Sequence, residues 1–345
     1  MDNKLLFFFL ASLGLSHPVV GQNATTVPVG AIKITIPAGT GSLRKLTVIS
    51  LPLSSRANVT GQVVGRITGL TANTITNSSA GWTTGQLSQQ NAPKIFRITS
   101  GNATGLSFLI SSTVNNTSTT LTIHQDDAAS VNLTTLGIVT GASNGDTYEI
   151  LDADTILSVF GTPADGVQGG SVPDSADQVA LLSGGVWGKY YYNTTVNKWR
   201  SVGSEVDSDH VVIRPNALAV FLRIASTAYE LTVTGDVPSV NRRVSISGNQ
   251  LTDYSTYWPV DRTLGSMGIS SIPGWVKSSN PNLADKVSFL DGGKWRKYYH
   301  DNTQWLAVGS NVPANSVVIP YGSGVILNKS AGNAIANESV PYSLQ

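Results

Sequence analysis

The chain has no cysteine, few charged residues and no long apolar run. The absence of cysteine excludes disulfide bonds, thiolate metal sites and cysteine nucleophiles. Only 12% of the 345 residues are charged, against about 25% in an ordinary soluble protein, and the net charge is +1. Such a chain has no electrostatic basis for binding a nucleic-acid backbone or an anionic membrane surface. It is instead rich in Gly, Ser, Thr, Asn and Val, and its 41% of hydrophobic residues suffices for a folded core.

The N-terminal segment has the organisation of a secretory signal peptide. Lys4 supplies a positive charge, Leu5–Leu15 is uncharged, and Val19 and Gly21 are small enough for a cleavage site. We therefore predict a signal peptide over residues 1–21 and an exported protein of the periplasm, the cell surface or the extracellular space. The alternative is a buried N-terminal strand or helix. Every later apolar run is too short for the roughly 20 residues that span a bilayer, so no membrane span is expected after signal removal.

Two stretches of the second half of the chain are repeated. Ala176–Tyr191 (ADQVALLSGGVWGKYY) returns as Ala284–Tyr299 (ADKVSFLDGGKWRKYY), with ten of 16 positions identical. Trp199–Ile213 returns as Trp305–Ile319, with eight of 15 positions identical. Agreement at this level indicates an internal duplication.

The repeat predicts the domain organisation of the chain. Lys45–Leu53 is similar to Arg242–Leu251, which lies just ahead of the second copy, so the first copy is interrupted by an insertion. The predicted units are the signal peptide (1–21), N-terminal strands of module 1 (22–58), a small inserted β-domain (59–149), module 1 (150–240) and module 2 (241–345).

The local pattern predicts an all-β fold with few short helices. Apolar residues recur at period two within each repeat, as in a pleated strand. Gly184–Gly185 and Gly292–Gly293 lie between apolar runs, which is typical of tight hairpins. Asp154 and Asp261 are candidate N-caps of short helices. Turn residues recur about every ten residues in 59–149. We expect two homologous β-sandwich or barrel-like modules, the first interrupted by a small β-barrel.

Several motifs together resemble a known family. They are VGAIKITIPAG, ISLPL, WTTGQL followed by RITSG and GDTYEI, and the doubled AD-x-V, GG-x-W-x-KYY and VVI pattern. The combination resembles an uncharacterised exported protein family known mainly from verrucomicrobial bacteria, over nearly the whole chain after residue 21. The resemblance implies an exported bacterial β protein. It carries no activity, cofactor or catalytic residue over to this chain.

Nucleophile and metal motifs are weak. Gly141–Gly145 matches G-x-S-x-G around Ser143, but its flanks have the composition of strands, and the motif requires a helix after the serine. A turn explains it better. His124, His210 and His300 have no metal-binding spacing and are not matched between the repeats. No catalytic triad or zinc site is therefore expected.

Paired carboxylates are the better candidates for chemistry, because glycoside cleavage needs only two acids at suitable spacing. Asp177 and Asp285 recur in the two repeats. Residues kept in a duplicated module usually maintain its fold, so we expect these two aspartates to cap turns or the starts of strands. Two further pairs are candidate oxygen ligands for calcium, although neither forms an EF-hand loop. They are Asp152 with Asp154 and Asp207 with Asp209. No other cofactor is expected.

The most distinctive feature is aromatic. Corresponding rings occur in the two repeats, at Trp187, Tyr191 and Trp199 and at Trp295, Tyr299 and Trp305. Tyr190 and Tyr298 lie at alternate positions, so both faces of each strand carry a ring. Two interpretations stay open for these rings: packing in the core, or a flat platform that stacks on sugars.

These features favour an exported β protein without enzymatic activity. We predict a structural or adhesive role in the cell envelope or outside the cell, with weak carbohydrate binding through the aromatic strand faces. The expected partners are extracellular polysaccharide or other envelope proteins. The alternative is a secreted polysaccharide-active hydrolase that uses paired carboxylates.

Overall fold

A computed structural model describes residues 29–53, 63–204, 206–310 and 312–343. The predicted signal peptide (1–21) and the first residues of the predicted insertion lie outside the described residues, as do residues 22–28. Within these ranges the chain forms 23 strands, two short α-helices and four single-turn 3-10 helices. The all-β prediction is confirmed.

The elements are as follows. The strands are β1 (Val29–Ile36), β2 (Lys45–Ile49), β3 (Val63–Arg66), β4 (Gly69–Leu70), β5 (Thr74–Thr76), β6 (Lys94–Ile98), β7 (Ser107–Leu109), β8 (Thr120–Thr122), β9 (Thr147–Asp152), β10 (Gln178–Ser183), β11 (Val186–Asn193), β12 (Lys198–Ser201), β13 (Ala219–Arg223), β14 (Tyr229–Asp236), β15 (Arg242–Ile246), β16 (Gln250–Ser255), β17 (Arg262–Thr263), β18 (Lys286–Asp291), β19 (Lys294–His300), β20 (Trp305–Ala307), β21 (Val318–Ile319), β22 (Gly324–Lys329) and β23 (Ala334–Glu338). The α-helices are α1 (Gln125–Ser130) and α2 (Ile156–Phe160), and the 3-10 helices are Leu133–Thr135, Pro163–Asp165, Pro173–Ser175 and Ile269–Ser271. No helix of the described ranges is long and apolar enough to cross a membrane.

Each repeat contributes a five-stranded antiparallel sheet and a two-stranded ribbon. In module 1 the sheet has the order β12-β11-β10-β13-β2, and β1 pairs with β14. In module 2 the sheet has the order β20-β19-β18-β22-β16, and β15 pairs with β23. Strands matched by the sequence repeat therefore occupy the same positions. The register also agrees, since Leu182 lies opposite Trp187 and Leu290 lies opposite Trp295. The origin of the two modules by duplication stays a prediction.

The strand pairing corrects one correspondence drawn from the sequence. Lys45–Leu53 and Arg242–Leu251 are similar in sequence, yet β15 takes the position of β1, not that of β2. The counterpart of β2 is β16. Short runs rich in β-branched residues resemble one another whichever partner they pair with, so the partner strand decides the equivalence.

The inserted unit has its own core between two sheets. One sheet has the order β3-β9-β6-β7 and the other β4-β5-β8. Fully buried side chains from both sheets, including Ile75, Phe96 and Leu121, form one apolar cluster between them. A bridge between Ile110 and Ile123 links the ends of β7 and β8. Two short sheets around one core make a self-contained β unit.

The two modules pack against each other through the outer faces of their five-stranded sheets. Val48, Ala180 and Val220 of module 1 form a buried cluster with Ile326 of module 2. On β10, Val179 and Leu181 enter the module 1 core, and the alternate residue Ala180 enters this interface. A strand covered on both faces reads as a continuous apolar run rather than an alternating one, which accounts for the sequence VALL in this strand.

Equivalent surfaces meet across this interface. Gly185 lies in the β10–β11 hairpin, and a Cβ atom at this position would lie 3.1 Å from Cβ of Gln250 at the start of β16. Gly293 lies in the β18–β19 hairpin, and a Cβ atom at this position would lie 3.8 Å from Nζ of Lys45 at the start of β2. Because β2 and β16 are equivalent strands, each hairpin approaches the same position of the other module. The packing is thus close to the self-complementary arrangement of a two-fold interface.

The hairpin and cap predictions have different outcomes. Gly184–Gly185 and Gly292–Gly293 form tight turns with positive φ at all four residues, as predicted. The cap prediction was wrong at Asp154 because the N-cap of α2 is Thr155, whose hydroxyl accepts a hydrogen bond from Ser158 N at 3.2 Å. No helix begins at Asp261, whose carboxylate instead accepts a hydrogen bond from Tyr321 N at 2.9 Å.

Candidate functional site

Four of the six aromatic rings proposed for glycan binding are buried side chains. Trp199 and Trp305 are 0% and 1% exposed, each in the core of its own module. Tyr191 and Tyr299 are also buried on the opposite face of the sheet. These four rings offer no face to a ligand, so the six residues do not form the predicted platform. Packing accounts for them, because an enclosed ring contributes more to the core than any other side chain.

The two remaining rings differ in exposure although they are equivalent in the repeat. Trp187 is half-buried against the cluster between the modules. Trp295 is 40% exposed on the outer face of the module 2 sheet. The sequence assigns these two tryptophans the same role, whereas the packing of the modules leaves only Trp295 open. Trp295 is therefore the aromatic residue of this set that a ligand could stack on.

The repeated aspartates hold the starts of equivalent strands, as predicted. Asp177 is fully buried and accepts hydrogen bonds from Gln168 N and Ile224 N, both at 2.8 Å. Asp285 is also buried and accepts hydrogen bonds from Val276 N and Ser330 N, both at 2.8 Å. Each carboxylate thus joins the loop before its strand to the loop after β13 or β22. Their surroundings are those of structural caps.

Ser143 and the histidines do not form a catalytic constellation. Ser143 is exposed in a turn that leads into β9, and no helix follows it. His300 is buried in β19 with its ring edge-on to Trp305 at 5.4 Å, and burial together with Lys277 lowers its pKa. His210 lies in a loop after β12, and His124 lies in the insertion. The nucleophile elbow would need a helix after the serine and a base beside it.

The candidate calcium ligands have other partners. Asp207 and Asp209 both contact the Lys198 ammonium group, at 3.3 and 2.7 Å. Asp209 also accepts a hydrogen bond from Trp199 N at 2.8 Å. Asp152 forms an ion pair with Lys94. Within the described ranges, no group of three or more histidine, aspartate or glutamate side chains is placed to hold a metal ion.

A cluster of charged groups that the sequence analysis missed lies where the insertion meets the two modules. Arg214, in the segment before β13, forms an ion pair with Asp127 of α1 and donates a hydrogen bond to His124 Nδ1 at 3.2 Å. Asp127 and Arg214 line a cavity of about 110 Å³ together with Asp253 of β16. No spacing in the sequence signals this cluster, because its members come from three units that are far apart in the chain.

Burial is the largest influence on the pKa of each of the two carboxyl groups in this cluster. It raises the pKa of Asp127, and the Arg214 charge and the Leu109 N–H oppose the rise. It raises the pKa of Asp253 to about 6, against a hydrogen bond from Leu218 N at 2.9 Å. A cavity of this size is below the range of about 300–1,000 Å³ typical of small-molecule sites. We interpret the cluster as a polar contact that holds the insertion against the two modules.

A larger cavity of about 430 Å³ lies beside the β1–β14 ribbon. Its lining includes Leu51, Val159 and Val233 together with Asp152 and Asp154. Its volume falls within the range of ligand sites. Asp152 and Asp154, predicted from the sequence as candidate calcium ligands, border this cavity, whereas the repeated aspartates Asp177 and Asp285 do not.

Comparison of the chain with protein-family models, with curated proteins and with solved structures found no match. The resemblance to the verrucomicrobial family therefore stays a prediction, and the function rests on the geometry of this chain alone.

Proposed function

We propose that the protein is an exported structural or adhesive protein without catalytic activity, which contacts carbohydrate weakly through Trp295. The observation that carries the proposal is the 40% exposure of this ring on a sheet face whose other large aromatic side chain, Tyr299, is buried. An exposed indole stacks well on the apolar face of a pyranose ring. A single stacking residue accounts for weak binding, which suits a protein that makes many contacts along a polymer.

The repeated residues support a non-catalytic role. Asp177 and Asp285 are fully engaged with backbone N–H groups, and Trp199 and Trp305 are enclosed in cores. What the two modules share thus maintains shape. The modules differ in the exposure of one shared ring, which is open at Trp295 and half-buried at Trp187, and the open ring is the one available for recognition.

A glycan array probed with the protein, with and without calcium, tests this proposal. We expect binding to polysaccharide fragments that falls by about tenfold or more in Trp295→Ala, a loss of about 1.4 kcal/mol of stacking energy. Tyr321→Ala is the matched control, since it removes another exposed aromatic side chain of module 2, 43% exposed. Failure of the wild-type protein to bind any glycan would exclude the carbohydrate contact.

A hydrolase is the second candidate, favoured by the cavity of about 430 Å³ that Asp152 and Asp154 line. Glycoside cleavage requires two carboxyl groups at a suitable separation, and this cavity is bordered by two acidic residues. Incubation of the wild-type protein and of Asp154→Asn with polysaccharide substrates, followed by a reducing-end assay, tests it. Release of reducing ends by the wild type alone would favour the hydrolase over the binding protein.

A further inference from the structure

The hairpin that carries Trp295 is surrounded by cations. Lys294, Arg296 and Lys297 are neighbours of Trp295 along β19, and all three side chains are exposed. Lys45, also exposed, reaches the same hairpin from module 1, with Nζ 3.8 Å from the position of a side chain at Gly293. We call Lys45, Lys294, Trp295, Arg296 and Lys297 the basic tryptophan patch.

The patch concentrates charge that the whole chain does not carry. One carboxylate, Asp291, lies among the four cations and pairs with Arg296 at 2.9 Å. The complete chain has a formal net charge of only +1. Charges of one sign held close together create a local potential that attracts ions of the opposite sign, even on a protein that is nearly neutral.

The equivalent hairpin of module 1 lacks this charge. Its residues are Val186, Trp187, Gly188 and Lys189, and Gln250 takes the place that Lys45 has in the patch. Trp187 is in addition half-buried between the modules. The hairpin at this fold position therefore carries one cation in module 1 and is approached by four cations in module 2, of which Lys297 shares the face of the exposed ring. Fold maintenance alone does not require this difference.

We infer that the basic tryptophan patch binds acidic polysaccharide, through stacking of a sugar ring on Trp295 and ion pairs from Lys45 and Lys297 to carboxylate or sulfate groups. This inference rests on the proposed carbohydrate contact and adds the charge class of the ligand. Lys297 lies two residues after Trp295 and so shares its face of the sheet. Hydrogen bonds between cationic side chains and carboxylate or sulfate oxygens are stronger than those between neutral groups.

A single open ring favours a glycan over a nucleic acid. Proteins that bind single-stranded nucleic acid stack successive bases on several aromatic side chains along a basic groove. Here the neighbouring ring on the same face, Tyr299, is 5% exposed and packs with Ala284 and Leu306. The patch thus offers one stacking position, with Lys297 on the same face and Lys45 at the turn of the hairpin.

Binding of three polymers by the full chain tests the inference: polygalacturonate for carboxylate groups, dextran sulfate for sulfate groups and neutral dextran. We expect at least one acidic polymer to bind about tenfold more tightly than dextran, with an affinity that falls as salt is added. Trp295→Ala and the double variant Lys45→Gln/Lys297→Gln should each weaken that binding by about fivefold or more, and Trp295→Phe should retain most of it.

The matched control is Lys33→Gln/Lys189→Gln, which removes the same charge from exposed lysines outside the patch. It should change the affinity by less than about twofold. Equal binding of dextran and the acidic polymers would overturn the inference and leave the proposed carbohydrate contact standing. Binding of none of the three would overturn the inference, and the glycan array would then decide on the carbohydrate contact. Acidic binding that Trp295→Ala leaves unchanged, or equally tight binding of a single-stranded oligonucleotide, would also overturn it. The thermal midpoint of each variant confirms that it is folded.

Discussion

Modules 1 and 2 place the same aspartate at the same strand, yet surround it differently. In module 1, Asp177 pairs with the buried guanidinium group of Arg223 as well as with backbone N–H groups. In module 2 the residue equivalent to Arg223 is Lys329, whose ammonium group donates to the carbonyls of Ala331 and Gly332 instead. Asp285 keeps only the backbone hydrogen bonds.

This difference separates what the fold needs from what one module adds. The backbone hydrogen bonds recur in both modules, so they are the shared requirement for joining the loops to the sheet. The ion pair is particular to module 1. The aromatic partner of the core tryptophan also differs between the modules. Tyr192 packs edge-on against Trp199 with 6.0 Å between the ring centroids, and His300 packs edge-on against Trp305 with 5.4 Å between them.

The largest effect is expected in the two cores. Trp199→Ala and Trp305→Ala should each lower the free energy of unfolding by about 3–5 kcal/mol, because each removes an enclosed ring and leaves a cavity. Urea denaturation of the two variants measures this. A loss below about 1 kcal/mol in one module would break the equivalence of the two cores.

The next largest effect on stability is expected at the two repeated aspartates, and it should differ between them. Asp177→Asn removes the counter-charge of a buried guanidinium group and should cost about 3–5 kcal/mol. Asp285→Asn leaves no buried cation unpaired and should cost about 1–3 kcal/mol, the range for weakened hydrogen bonds to buried N–H groups. Denaturation of both variants at pH 7 sharpens the comparison. Equal losses would show that the Arg223 ion pair has no effect of its own.

The third prediction concerns pH. Asp253 of module 2 takes the position that Val48 has in module 1. Its pKa is raised from 3.8 to about 6, chiefly by burial, with Arg214 and Arg242 opposing the rise. The folded state therefore binds this proton more tightly than the unfolded state does, so its contribution to stability is lost as the pH rises from about 4 to about 6.

Asp253→Asn removes this ionisation. Between pH 4 and pH 7 the wild type should lose about 1–3 kcal/mol of unfolding free energy through this carboxyl group. The variant lacks the carboxyl group and should not show this loss. Guanidinium denaturation at several pH values provides the measurement. A wild-type profile no steeper than that of the variant would contradict the assignment.

The smallest effect on stability is expected at the exposed ring. Trp187→Ala should lower the free energy of unfolding by about 1–3 kcal/mol, since this ring packs between the modules, and Trp295→Ala by less than about 1 kcal/mol. Thermal denaturation of the two variants compares them directly. A larger loss for Trp295→Ala would mean that this ring serves packing rather than binding.

Much of the fold could be predicted from local patterns. Paired glycines between apolar runs identify the hairpins, because two successive positive φ angles strongly favour glycine. The repeat matches strands that the sheets place in equivalent positions. The sequence could not assign β15 and β16 to their counterparts, and it missed the cluster around Arg214, because both depend on contacts between distant segments.

The sequence by itself determined an all-β chain, its hairpins and the repeated aspartates that cap its strands, since these follow from backbone conformation and nearby hydrogen bonds. Only the tertiary structure decided which rings are open. Alternation along a strand separates two faces but does not tell which face is covered, and here the other module covers one of them. The same packing brings Lys45 of module 1 to the turn of the hairpin that carries Trp295 in module 2.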